Sequence, residues 1–272
     1  MTYAPALPLG GYAGWAFLKR TMTSQTAAFN TAPDLKSDEA YFRAKIGQIN
    51  TAEQLVADRR LLKVALGAFG LEKDIDNKFF IQKVLQDGTL KTGTLANKLA
   101  DKQYQKLSAA FGFGDFAVPS TKVSTFPDKI ISAYRARQFE VAVGEQSPDL
   151  RLALNVQREL PGIADKATSS ENVKWFTVLG NAPLRKVFEK ALGLPSSIGA
   201  LDLDQQLQAF KDKAKSQTGS DTVSQFSDPA KLEGLVRRFL LRSEAASFAQ
   251  SGAGNASLQL MQQAASAARY RF

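Results

Sequence analysis

The chain has 272 residues, 44% of them apolar and 10% aromatic, which is ample for a sizeable core and argues against wholesale disorder. It contains neither cysteine nor histidine, so disulfides, thiolate or imidazole metal sites, a cysteine nucleophile and a Ser-His-Asp triad are all excluded. The net charge of +9, from 35 basic and 26 acidic residues, favours anionic partners diffusely, because the two signs are mixed along most of the chain.

The apolar period is helical from the start. Trp15, Leu18, Met22 and Phe29 mark one face within an expected helix over 12–30. Expected helices follow at 37–47, 52–69, 75–86 and 94–111, the 52–69 helix opening on a Thr51/Gln54 capping box. The stretch 112–127, "GFGDFAVPSTKVSTFP", carries turn formers without periodicity and reads as a break. Beyond it, helices are expected at 127–145, 148–159, 171–179, 182–192, 203–215 and 229–247. Ser147-Pro148, Asn181 before Pro183 and Asp228-Pro229 supply their start signals. No run alternates as a strand would. The tail, 251–272, is rich in Ala, Ser and Gln and is expected to be mobile or docked on a partner.

One phrase occurs twice. "LLKVALGAFGL" (61–71) and "LRKVFEKALGL" (184–194) share Lys63/Lys186, Val64/Val187, Ala68/Ala191, Gly70/Gly193 and Leu71/Leu194. Upstream, "PDLK" at Pro33 pairs with "PDLR" at Pro148; downstream, Tyr104, Leu107 and Phe111 pair with Leu232, Leu235 and Phe239. The shared order points to an internal duplication; the bland alternative is that amphipathic helices resemble one another. The expected fold is all-α and multihelical, as two similar helical arrays. The first array covers 1–115, a linker 116–126, the second array 127–250, and the tail 251–272. The glycine in each phrase suits a left-handed helix end.

Chemical motifs are sparse. Asp74/Asp76 and Asp202/Asp204 alternate as in a calcium loop, yet the positions where the loop needs an oxygen ligand and a glycine hold Lys78 and Phe79, or Gln206 and Leu207. Helix capping is the better reading. "FGFGD" (Phe111 to Asp115) lacks the third glycine of a dinucleotide site and follows a helix pattern. No catalytic, metal-binding or cofactor-binding residue can be singled out, and no cofactor is expected. Trp15 and Trp175 are expected in the core. Arg237, Arg238 and Arg242 form the densest basic cluster and are the candidate polyanion-binding residues, against a solvated helix face. No stretch approaches the roughly 18 consecutive apolar residues of a membrane span. The first positive charge, Lys19, follows the apolar N-terminal part, the reverse of a secretory signal.

"GGYAGWAFLKRT", "AYFRAKIGQINTAEQLVADRRLLKVALGAFGLEKDIDNKFFIQKVL" and "LANKLADKQYQKLSAAFGF" resemble the domain-of-unknown-function 1217 family. Members of that family occur in alphaproteobacteria, often encoded among flagellar genes. The resemblance implies a multihelical fold and a flagellar setting, and supplies no catalytic residues. The expected function is that of a non-enzymatic flagellum-associated protein, assisting flagellar structure, assembly or regulation through contacts with other flagellar proteins. The 251–272 tail and the apolar N-terminal segment are the expected contact regions. Two rivals stand beside it: a basic helical module binding nucleic acid or another polyanion, and an enzyme with a carboxylate/Lys site between the arrays. The expected location is the cytoplasm, or the flagellum by an export route without a cleavable signal.

Overall fold

The computed structural model describes the backbone of residues 4–269 and the side chains of residues 4–249. Among them the regular structure is entirely helical. The order is α1 (Gly11–Phe29), α2 (Pro33–Lys45), α3 (Ala52–Ala57), α4 (Arg59–Phe69), α5 (Lys78–Asp87), α6 (Leu95–Lys98) and α7 (Gln103–Phe111). Then follow α8 (Phe126–Gln146), α9 (Pro148–Ala164), α10 (Glu171–Leu179), α11 (Ala182–Leu192), α12 (Leu203–Thr218) and α13 (Pro229–Arg269).

The start signals act as read. Thr51 Oγ1 accepts from Gln54 N at 3.2 Å, and Gln54 Oε1 reaches back to Asn50 N at 2.7 Å. Asn181 and Asp202 cap α11 and α12 through the N–H groups of Leu184 and Gln205. Asp228 accepts from Ala230 N at 2.8 Å, with Pro229 opening α13. Both repeated phrases end in a left-handed glycine, Gly70 at φ 74° and Gly193 at φ 69°. In each, the following leucine donates back to the last turn, Leu71 N to Leu66 O and Leu194 N to Glu189 O.

Two expected helices are divided. The 52–69 stripe breaks at Asp58, whose backbone is extended and whose carboxylate caps α4 through Arg60 N and Leu61 N. Asp58 also accepts from the Tyr41 hydroxyl at 2.7 Å. The 94–111 stretch breaks after α6 because Leu99 turns extended. At the other end, α13 does not stop near 247 but runs to Arg269.

The core is one continuous cluster. Trp15 and Trp175 are fully buried in it. Trp15 donates its indole N–H to Glu233 of α13, and Trp175 donates to the Asp221 carbonyl. The helices interleave. In the first array α4 packs on α2, α3, α7 and chiefly on α8. In the second, α11 packs on α9, α10, α12 and chiefly on α13. In turn, α6 and α7 pack on α5. Meanwhile α1 lies on α13 and α9, and α8 lies on α9. The stretch read as a linker is also tied down: Thr121 is buried and donates to the Ile49 carbonyl at 2.6 Å.

Candidate functional site

The seam between α8 and α9 is charged. Glu159, on the inner face of α9, lies within 2.6 Å of Lys106 on α7 and 2.9 Å of Arg137 on α8, and also pairs with Arg158. Arg158 in turn holds Glu140 through two bonds, of 2.5 and 2.9 Å. Burial pushes the Glu159 carboxyl up, but Lys106, Arg158 and Arg137 together outweigh burial and hold it below the ordinary carboxylate value. Burial and the neighbouring Arg158 pull Arg137 down. This cluster bolts three helices together and leaves Glu159 ionised, without a proton to give.

Above the cluster a cavity of about 610 Å³ opens between the arrays. One wall is α8, through Arg137, Glu140 and Gly144; the facing wall is α9, through Arg151 and Asn155. The first repeated phrase contributes its exit, Gly70 to Asp74, and the second contributes the entrance of its helix, Asn181 to Lys186. Tyr104 of α7 closes the rim, donating its hydroxyl to Asp74 at 2.7 Å. Burial, helped by Asp74, raises the Tyr104 pKa, so its phenol stays protonated. Gly144 is required here: a Cβ on it would strike the Arg151 stem, which crosses α8 at that point to reach Glu72 at 3.3 Å. Two oxygens on the lining are buried without a hydrogen-bond partner, Glu72 Oε2 and Asn155 Oδ1. A second cavity, of about 510 Å³, lies between α1, α8 and α9 and includes Met22, Phe139 and Leu154.

The three arginines singled out by sequence have different surroundings. The exposed Arg237 stacks its guanidinium over the Tyr12 ring at 5.3 Å. Arg238 is half-buried, with Nη1 enclosed. Arg242 lies against the α-carbon of Gly193. The paired aspartates serve capping and surface pairing: Asp202 caps α12, and Asp76 meets Arg59 at 2.6 Å. Several cavity residues, Gly70, Asp74, Tyr104, Asn181 and Lys186, entered the sequence reading only as repeat or capping positions, and Arg137, Glu140, Gly144 and Asn155 not at all. Arg151, Asn155 and Glu159 do recur every fourth position on α9, but such a stripe reads as an ordinary solvated face.

The profile of the family described as "Protein of unknown function (DUF1217)" matches residues 68–232, more than half of the chain. The chain belongs to the DUF1217 family. The match starts in α4 and ends in α13, spanning the seam; it takes in residues 68–85 and 95–113 of the segments on which the resemblance rested and extends beyond them. The fold is also that of a protein from Agrobacterium tumefaciens, solved by X-ray crystallography as a structural genomics target. The two superpose with a TM-score of 0.71 at 25% identity, over 89% of this chain and 98% of that one. No curated protein matches the chain. Among the described residues, no helix is long and apolar enough to cross a membrane.

Proposed function

We propose that this DUF1217 member is a non-enzymatic protein that assists flagellar structure, assembly or regulation through protein–protein contacts. The observation that carries the contact half of this reading is α13. It has 41 residues, about 60 Å at the usual ~1.5 Å rise. Among its described side chains the last buried one is Ser243, and every residue from Ala245 to Ala249 is exposed, Phe248 at 73%. The backbone then stays helical for another 20 residues. The side chains beyond 249 lie outside the described residues, as do residues 270–272 entirely, so the expected docking of the tail rests on the helix alone. The other expected contact region, the N-terminal segment, is pinned to the body: Gln25 brackets Ala6 at 2.8 and 3.1 Å, and Gln146 donates to the Pro5 carbonyl. The flagellar half rests on the family resemblance.

The electrostatics offer no carboxylic general acid among the shifted groups. Each described acid with a displaced pKa is displaced downward: Asp115, Glu159 and Glu171. Burial works against all three and is outweighed, for Asp115 and Glu171 by hydrogen bonds that include backbone N–H groups. General-acid work at neutral pH calls for the opposite shift.

We further propose that the arrays descend from one duplicated unit. Arg137 of α8 lies on Gly70 as Arg242 of α13 lies on Gly193. The direct trial of the functional reading is gene deletion in a flagellated host. Loss of swimming or of filaments supports it, and normal flagella with normal swimming refute it.

A further inference from the structure

We infer that the corner formed by residues 88–102 and 115–118 docks on the surface of a bilayer carrying anionic lipid. Two loops meet there. The Asp115 carboxylate accepts from Thr89 N at 2.6 Å, from Leu90 N at 2.9 Å and from the Thr89 hydroxyl at 2.8 Å. Gly114 presses so closely on the end of α5 that a Cβ would lie 2.2 Å from the Gln86 carbonyl oxygen. Asn97 of α6 closes the first loop, donating to the Thr89 and Lys91 carbonyls at 2.8 and 3.0 Å. On this tied-down frame stand three large apolar side chains, Leu90 at 68% exposed, Phe116 at 56% and Val118 at 68%. One such side chain is ordinary on a protein surface, but three on two joined loops make a patch.

The charge beside them selects the partner. Between Gly88 and Lys122 the chain carries five lysines against two acids, Asp101 and Asp115. Lys106 is committed to Glu159, which leaves four against two. Lys91 follows Leu90 directly, and the stem of Lys98 lies 3.9 Å from the place a Cβ would take on Gly93 of the same loop. Cores of protein–protein interfaces are depleted in lysine, so exposed apolar side chains with lysines beside them suit a protein partner poorly. A nucleic-acid backbone would use the lysines and leave Leu90 and Val118 in water. A bilayer surface uses both. Its acyl boundary takes the apolar side chains, and the lysines reach anionic headgroups while their stems stay in the apolar layer. With so few side chains inserted, the contact is peripheral and reversible.

The inference stands independently of the flagellar reading and is tested on the purified full chain by co-sedimentation with vesicles. The probes are vesicles of phosphatidylcholine alone and of phosphatidylcholine with a one-third share of phosphatidylglycerol. At low salt the chain should sediment with the second kind and not with the first, and roughly 0.5 M salt should release most of it. Leu90→Ser with Phe116→Ser should weaken binding about tenfold, and Lys91→Glu with Lys98→Glu at least as much. Both pairs should leave the melting temperature of the free protein unchanged, because all four side chains are exposed. Leu203→Ser, 54% exposed on α12, is the control and should bind as the unsubstituted chain does. The inference is overturned if the chain ignores anionic vesicles at low salt, if neutral vesicles bind it as well, or if binding survives both double substitutions. It is overturned too if only the lysine pair matters, since the contact would then be with charge alone.

Discussion

The guanidinium of Arg242 occupies the space beside the Gly193 α-carbon, where any other residue would carry its Cβ. The glycine is needed for its φ of 69°; a Cβ would meet only the far end of the flexible Arg242 side chain, which can swing aside. Gly193→Ala should lower stability by the ~1–2 kcal/mol that the left-handed conformation costs. Gly219→Ala is the control: its φ is 81°, and nothing lies within 4 Å of the built Cβ. Urea unfolding should give the two variants similar losses, and a clearly larger loss for Gly193→Ala would show that Arg242 cannot move aside.

Glu159 carries the charge that the seam depends on. Glu159→Gln leaves Arg137 and Arg158 buried with one acid, Glu140, between them, and removal of one partner from a buried pair costs about 3–5 kcal/mol. Lys106→Met removes a half-exposed partner of the same acid and should cost under about 1 kcal/mol. The comparison is read from urea midpoints at constant slope.

The pH dependence follows from signs. Glu159 binds its proton less readily in the folded chain than in the unfolded one, whose ordinary value is 4.5. Its contribution is therefore complete above that value and is lost as pH falls through the depressed one. Asp115 and Glu171 act in the same direction. Thermal unfolding should show stability declining as pH drops below about 4.5, the carboxylate reference, and Glu159→Gln should flatten the decline.

Nucleic-acid binding should be absent or weak. Arg242 lies against Gly193, Arg237 stacks on Tyr12, and the half-buried Arg238 has one nitrogen enclosed. Fluorescence anisotropy with a labelled DNA duplex and a labelled RNA at low salt should give no saturable binding. A strong, salt-sensitive isotherm abolished by Arg237→Ala with Arg238→Ala would reinstate the polyanion reading.

Much of the fold was legible in the sequence, because caps and apolar stripes act locally. Asn181 and both phrase-ending glycines announce their helix ends within a few residues. Asp58 shows the limit: the stripe continues on either side of it, so its break is visible only once its carboxylate is seen capping α4. The proposed correspondence of α13 with α8 was hidden because α7, with the same spacing of large apolar residues, comes first in the chain. The charged cluster was illegible for a longer-range reason. Glu159 looks like any surface glutamate until Lys106 and Arg137, 53 and 22 residues away, arrive beside it.

The reading of α13 as the working surface is open to one decisive measurement. Among the described residues, a chain ending at Ala249 keeps every buried one of α13, from Leu232 to Ser243. It should melt at the temperature of the full chain. In a non-swimming deletion strain, the full chain should restore swimming and the shortened one should not. Swimming restored by both chains would contradict the account.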